Sequence, residues 1–139
     1  MTLQFFLPMV PPTHTHQQGS RTAVNKKTGK TVHYKDAQLR DVEAKFAAHL
    51  SKYVPDKPFT GGVRLITKWC FPVCADHHDG DYKLTKPDTD DLIKLFKDVM
   101  IKVGFWKDDA LVASELNEKF YATLPGIYVM IEELPINGY

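Results

Sequence analysis

Residues 86–109 read KPDTDDLIKLFKDVMIKVGFWKDD, and the way this stretch folds decides the rest of the chain. Leu92, Leu95, Phe96, Val99, Met100 and Val103 recur at three- and four-residue spacing, the period of one apolar helix face. The pattern predicts a helix over residues 90–103 with Asp90, Lys94, Lys97 and Asp98 on the opposite, polar face. Ile101 interrupts that polar face and points to a subunit contact. A turn at Gly104 then leads to the pair Asp108-Asp109.

Each of these acidic residues has a local structural use. Asp88 stands at the N-cap position and Asp91 three residues later, the spacing of a capping box. Carboxylates in a first turn favour the helix macrodipole by about 0.3–1 kcal/mol each. Asp90 and Lys94 form an i,i+4 pair in the better orientation, worth about 0.2–0.5 kcal/mol. Asp108 and Asp109 suit a turn. Taken together, however, three aspartates at one helix entrance repel unless a cation offsets them. A few carboxylate oxygens that leave room for water and phosphate suit Mg²⁺. Such an ion can activate water and neutralise charge growing on a phosphodiester, and a nearby lysine adds a fixed positive charge.

Working outward, residues 3–10 form an apolar, β-rich run that predicts a strand, with Pro8 marking an edge or a strand end. Residues 11–20 are loop-like and carry His14 and His16, which suit polar loop roles. Residues 21–25 and 30–34 flank a turn at Gly29 and predict a small basic hairpin. Asp36 caps a predicted helix running to about Tyr53, with Leu39, Val42, Phe46, Leu50 and Tyr53 on one face. Residues 62–73 predict a strand, and the polar residues 75–85 a mobile loop. Residues 111–122 and 126–133 predict two strands joined as a hairpin. The order implies a mixed α/β fold, one domain over residues 1–139, in which two helices cover a sheet.

Composition agrees: 139 residues, 43% hydrophobic and 25% charged, are enough for one domain with its own core. No apolar run approaches the roughly 20 residues of a membrane span. The N-terminus lacks a basic n-region and a small-residue cleavage site, and two cysteines make no disulfide framework. These features predict a cytoplasmic protein with no membrane association. The net charge of +1 hides an asymmetry: residues 1–75 hold eleven Lys/Arg against four Asp/Glu, residues 76–139 seven against thirteen. A basic half can meet a polyanion while an acidic half holds a cation, although solvated faces would look the same. Cys70 and Cys74, followed by His77 and His78, carry a zinc hypothesis, though C-x3-C with adjacent histidines is not a common structural spacing. A cysteine within an apolar strand ordinarily packs. Trp69 and Trp106 are core or contact residues, with base stacking by Trp106 the alternative.

The run from Lys86 to Lys94, then Asp98, then Gly104 to Asp109, resembles the RusA family of Holliday junction resolvases. That family's pattern is D-x-D-N-L-x-K, an aspartate, a glycine and a paired D-D. The early strand before Pro11-Pro12 and the strand holding Lys119 extend the likeness more loosely. The resemblance implies that Asp88, Asp90 and Asp109 are metal-binding and catalytic carboxylates and that Lys94 is the essential lysine. It gives Asp91, Asp98 and Asp108 supporting roles. Asp91 departs from the family's usual asparagine, which puts the level of activity in question. The implied enzyme is a RusA-like dimer that uses Mg²⁺, with Mn²⁺ as a substitute, to resolve four-way DNA junctions by paired nicking, leaving 5′-phosphate ends. Its setting would be a bacterial or phage-infected cell. Arg21, Lys26, Lys27, Lys30, Lys35, Arg40 and Lys119 are the candidate DNA contacts. The rival readings are a non-catalytic DNA-binding protein of the same fold and a small zinc-binding module centred on Cys70 and Cys74.

Overall fold

The structure, a computed structural model, describes residues 1–14, 20–24 and 26–138; the side chains of residues 20–22 and 32–35 are not described. The elements are β1 (Thr2–Leu7), β2 (Ser20–Val24), β3 (Thr31–Lys35), α1 (Ala37–Leu50), β4 (Val63–Pro72), α2 (Thr89–Val103), β5 (Val112–Ala122) and β6 (Gly126–Glu133). Short 3-10 turns at Ser51–Tyr53 and Asp109–Leu111 follow α1 and precede β5. Four strands make one mixed sheet in the order β1-β6-β4-β5, and β2 and β3 pair separately as the basic hairpin, turning at Gly29.

The predicted hairpin of the last two strands does not form. β4 lies between them, antiparallel to β6 and parallel to β5. The reason is visible in burial. Val63, Leu65, Trp69 and Phe71 are buried on one face of β4, while Ile66 and Cys70 are half-buried on the other. Arg64 and Lys68 make that second face mixed, and it is the buried row that draws β4 inward, since its partners on β6 are the buried Ile131, Val129 and Ile127. β5, with its SELNEK run, takes the edge.

Both helices cover the same sheet face. Asp36 caps α1 by accepting a hydrogen bond from the Leu39 amide at 2.8 Å. Leu39, Val42, Phe46 and Leu50 then point inward together with Leu92, Leu95, Phe96, Val99 and Met100 of α2. Phe46, Trp69 and Phe96 join α1, β4 and α2 in one ring cluster, with centroids 5.0–5.9 Å apart and edge-to-face angles. Such pairs add about 0.5–1.5 kcal/mol beyond their burial. Ile101 is partly buried and packs against this core, which accounts for an apolar residue on the polar side. Trp106 is 1% exposed and therefore cannot stack on a base.

The segment predicted as a mobile loop is tied down. The Gly80 amide donates to Tyr121 O, the Tyr121 amide to Asp81 O and the Lys83 amide to Lys119 O, all at 2.8–3.0 Å. Tyr82 forms a bridge with Phe120. Polarity and glycine had indicated exposure, which is correct, but the open edge of β5 satisfies the backbone of this segment.

Candidate active site

The acidic stretch folds so that Asp108 alone of its described carboxylates caps a turn or helix through its side chain. Asp88 is the N-cap of α2, yet its side chain makes no capping hydrogen bond. The predicted capping box with Asp91 is therefore absent. The Asp88 carboxylate instead pairs with Lys86 Nζ at 2.9 Å. That pairing, with Asp91 and Asp90 adding further negative charge, raises the Lys86 pKa. Oxygen atoms of Asp88, Asp90 and Asp91 lie within 4.8 Å of one another. Among the described residues, neither Asp90 nor Asp91 makes a hydrogen bond or ion pair through its carboxylate.

At the other end, α2 stops in a Schellman motif. The Gly104 amide donates to Ile101 O at 3.1 Å and the Phe105 amide to Met100 O at 3.0 Å. Gly104 has φ 106°, a left-handed conformation that glycine accepts without a Cβ penalty. Buried Phe105 and Trp106 anchor the turn beneath it. Asp108 caps the following 3-10 turn through the Ala110 amide at 2.9 Å. Asp109 accepts a hydrogen bond from Trp106 Nε1 at 3.2 Å, which orients its carboxylate. So Asp108 performs the turn function, and Asp109 is held by a core residue.

One cleft of about 470 Å³ collects Asp90, Lys94, Asp98 and Asp109, with Thr89, Ile93, Lys97, Glu115 and Asn117 completing its wall. Asp88 and Asp91 do not line it. Asp90 is thus common to the carboxylate group at the helix entrance and to the cleft that contains Asp109. Within the cleft Lys97 pairs with Glu115 at 2.8 Å. Lys94 makes no ion pair among the described residues, which leaves its ammonium available to an anion.

Sequence reasoning did not anticipate the wall of this cleft. Trp69 Nε1 donates to Thr67 Oγ1 at 2.8 Å, Thr67 Oγ1 donates to Asn117 Oδ1 at 2.6 Å, and Asn117 Nδ2 donates to Glu115 Oε1 at 2.7 Å. The relay runs from the core to the Lys97–Glu115 pair. A signal for it was present: Glu115, Asn117 and Lys119 occupy alternate positions of β5, so they share a face, and Thr67 interrupts the apolar face of β4.

The candidate DNA contacts fare unevenly. Lys26, Lys27 and Lys30 are exposed in the hairpin turn, and Arg40 is exposed on α1. The side chains of Arg21 and Lys35, and the whole of His16, lie outside the described residues. Lys119 donates instead to the carbonyls of Thr85 and Pro87, at 2.7 and 2.8 Å. Burial, reinforced by Lys83, lowers its pKa. His14 Nε2 lies 3.1 Å from Asp36, an orienting contact at the start of α1.

Cys70, Cys74, His77 and His78 do not converge; among the described residues the aspartate group is the one cluster with metal-ligand spacing. His77 stacks on Tyr121 at 4.1 Å, and the His78 amide donates to Asp81. Burial raises the Cys70 thiol pKa. No helix of the described residues is long and apolar enough to cross a membrane. The family model described as Endodeoxyribonuclease RusA matches residues 10–132 of the chain. No curated protein matches it.

Proposed function

Because the chain belongs to the RusA endodeoxyribonuclease family, we propose that it resolves four-way DNA junctions by divalent-metal-dependent, paired nicking. The observation that carries the reading is that Asp90, Lys94 and Asp109, distant in sequence or differently placed on α2, face one cleft. Beside it stand the carboxylates of Asp88 and Asp91.

The donor set fits a hard divalent cation. The oxygens of Asp88, Asp90 and Asp91 lie within 4.8 Å of one another, exposed enough to leave positions for water, and suit Mg²⁺ or Mn²⁺ with no soft ligand, while Asp109 stands outside that group and shares the cleft with Asp90. Asp88, Asp90 and Asp109 are the proposed ligands, with Asp91 close enough to contribute, and Asp98 and Asp108 in support. The bound ion would lower the pKa of a coordinated water and offset charge on the scissile phosphate. The chain's own part is positional and electrostatic. Trp106 aims the Asp109 carboxylate. Lys94 donates to a phosphoryl oxygen as charge accumulates there. Water oxygen bonds to phosphorus, the bond to the 3′ oxygen breaks, and that oxygen takes a proton, leaving a 5′-phosphate and a 3′-hydroxyl.

A two-fold dimer presents two such sites to symmetry-related strands. Met130, Ile66 and Leu116 form a row across the sheet face turned away from the helices, and Leu116 is 49% exposed. This apolar row supports association of two copies. Lys26, Lys27, Lys30 and Arg40, with Arg21 and Lys35, would contact phosphates outside the cleft. The whole of residues 1–139 acts as one domain, in the cytoplasm of a bacterial or phage-infected cell.

The test is a comparison of wild type with Asp90→Asn and Asp109→Asn on a synthetic four-way junction. Wild type nicks it with Mg²⁺, and each variant binds without cutting. Undiminished cutting by Asp90→Asn would overturn the site, and failure of all three proteins to bind would overturn the substrate.

A further inference from the structure

Lys119 was a candidate phosphate contact, but the geometry points to a different role: Lys119 is a positioning residue that fixes the segment carrying Asp88 beside Asp90. This inference rests on the metal-site reading above and assigns a new residue to it.

The Lys119 ammonium has three donors. Two are taken by main-chain carbonyls two residues apart, Thr85 O at 2.7 Å and Pro87 O at 2.8 Å. Residues 85–87 therefore curve around a charge that projects from β5, a rigid sheet strand. The next residue is Asp88, whose carbonyl accepts the first helical hydrogen bond from the Leu92 amide at 3.1 Å. Its side chain makes no capping hydrogen bond and pairs instead with exposed Lys86 at 2.9 Å, so the backbone before it sets where the carboxylate stands. Pro87 is buried, so the anchor sits beneath the loop while Lys86 and Asp88 remain exposed above it.

Neighbouring contacts run in the same direction. The Lys83 amide donates to Lys119 O at 3.0 Å, and Lys83 Nζ donates to Thr85 Oγ1 at 2.6 Å. These bind the approach to the loop, whereas Lys119 reaches past Thr85 to the residue before Asp88. A hydrogen bond from a charged donor is roughly twice as strong as a neutral one, which suits a lysine to this task. A residue that orients a ligand carboxylate from behind changes metal affinity about 10- to 100-fold when removed. A phosphate contact has a different signature: its loss weakens DNA binding and lowers the salt slope by about 1.

The two roles separate in one experiment on the full chain. Lys119→Met is compared with wild type and with Lys26→Met, which removes an exposed hairpin lysine. Three quantities are measured: amide hydrogen exchange over residues 84–91, Mn²⁺ binding without DNA by paramagnetic resonance, and junction binding in chelator at several salt concentrations. We expect Lys119→Met to exchange at least about tenfold faster in that segment and to bind Mn²⁺ about 10- to 100-fold more weakly. Its salt slope should stay at the wild-type value, while Lys26→Met shows the reverse pattern. Unchanged exchange and Mn²⁺ binding, with a slope lowered by about 1, would overturn the inference. If Lys119→Met does not fold, Lys119→Gln, which keeps a donor, is measured in its place and must show a smaller change of the same kind. Wild type that takes up no Mn²⁺ would overturn the metal reading, and the exchange measurement would then decide the role of Lys119 by itself.

Discussion

Replacing Thr67 with valine removes one hydroxyl from the relay behind the cleft while keeping the shape of the side chain. Thr67 and Trp69 are both 0% exposed. Valine leaves Trp69 Nε1–H buried without its acceptor at 2.8 Å. An unsatisfied buried donor costs about 1–3 kcal/mol. Asn117 is only half-buried, so its Oδ1 can turn to water and adds little. The expected loss is about 2 kcal/mol, or a fall in Tm of roughly 6–10 °C for a chain of this size. Thr67→Ser keeps the hydroxyl and should cost about 1 kcal/mol for the lost methyl. Thermal and urea unfolding of both variants, repeated in a Trp69→Phe background, isolate the hydrogen bond. In that background Thr67→Val should cost about 1–2 kcal/mol less than in wild type. Equal costs in the two backgrounds, or a valine variant no less stable than the serine variant, would refute the relay.

Two further outcomes follow from local geometry. Gly104→Ala should destabilise by about 1–2 kcal/mol through the left-handed backbone alone, because the added Cβ would sit 3.7 Å from Val54 Cγ1 without a clash; differential scanning calorimetry checks this, and an unchanged Tm would contradict the Schellman turn. At pH 8 a disulfide reagent should label exposed Cys74 well before Cys70, whose raised pKa keeps it a thiol; mass spectrometry of single-labelled protein reads the order, and labelling of Cys70 first would contradict the burial.

The parts of the fold set by periodicity were legible in the residues. The helix over Thr89–Val103 and the strand Val63–Pro72 lie within a residue or so of their expected bounds, and the first helix ends in a 3-10 turn before Tyr53 is passed. Strand order was not legible. The three residues between β5 and β6 suggest a hairpin, but a turn fixes direction and not adjacency, and β4 competes for β6 by setting its buried Leu65 and Trp69 against Ile131 and Ile127. At the site, the order of aspartates pointed to a helix and a turn whose Asp90, Lys94 and Asp109 line one cleft. It did not reveal that Asp88 would pair with Lys86 in place of a capping amide, or that Lys119 would serve main-chain carbonyls. The first is a local choice between two partners that spacing allows equally, and the second depends on which groups a strand from elsewhere brings within 3 Å, about which spacing along the chain carries no information.

The central claim, that the Asp90 cleft hydrolyses junction DNA with a bound metal, is tested most directly by end-labelled four-way junctions. Wild type is incubated with Mg²⁺ or with chelator, and DNA ligase is then added. The expected result is two symmetry-related nicks, present with Mg²⁺ and absent with chelator, that ligase seals completely because the ends are 5′-phosphate and 3′-hydroxyl. Cutting that survives chelation, or ends that ligase cannot seal, would contradict it.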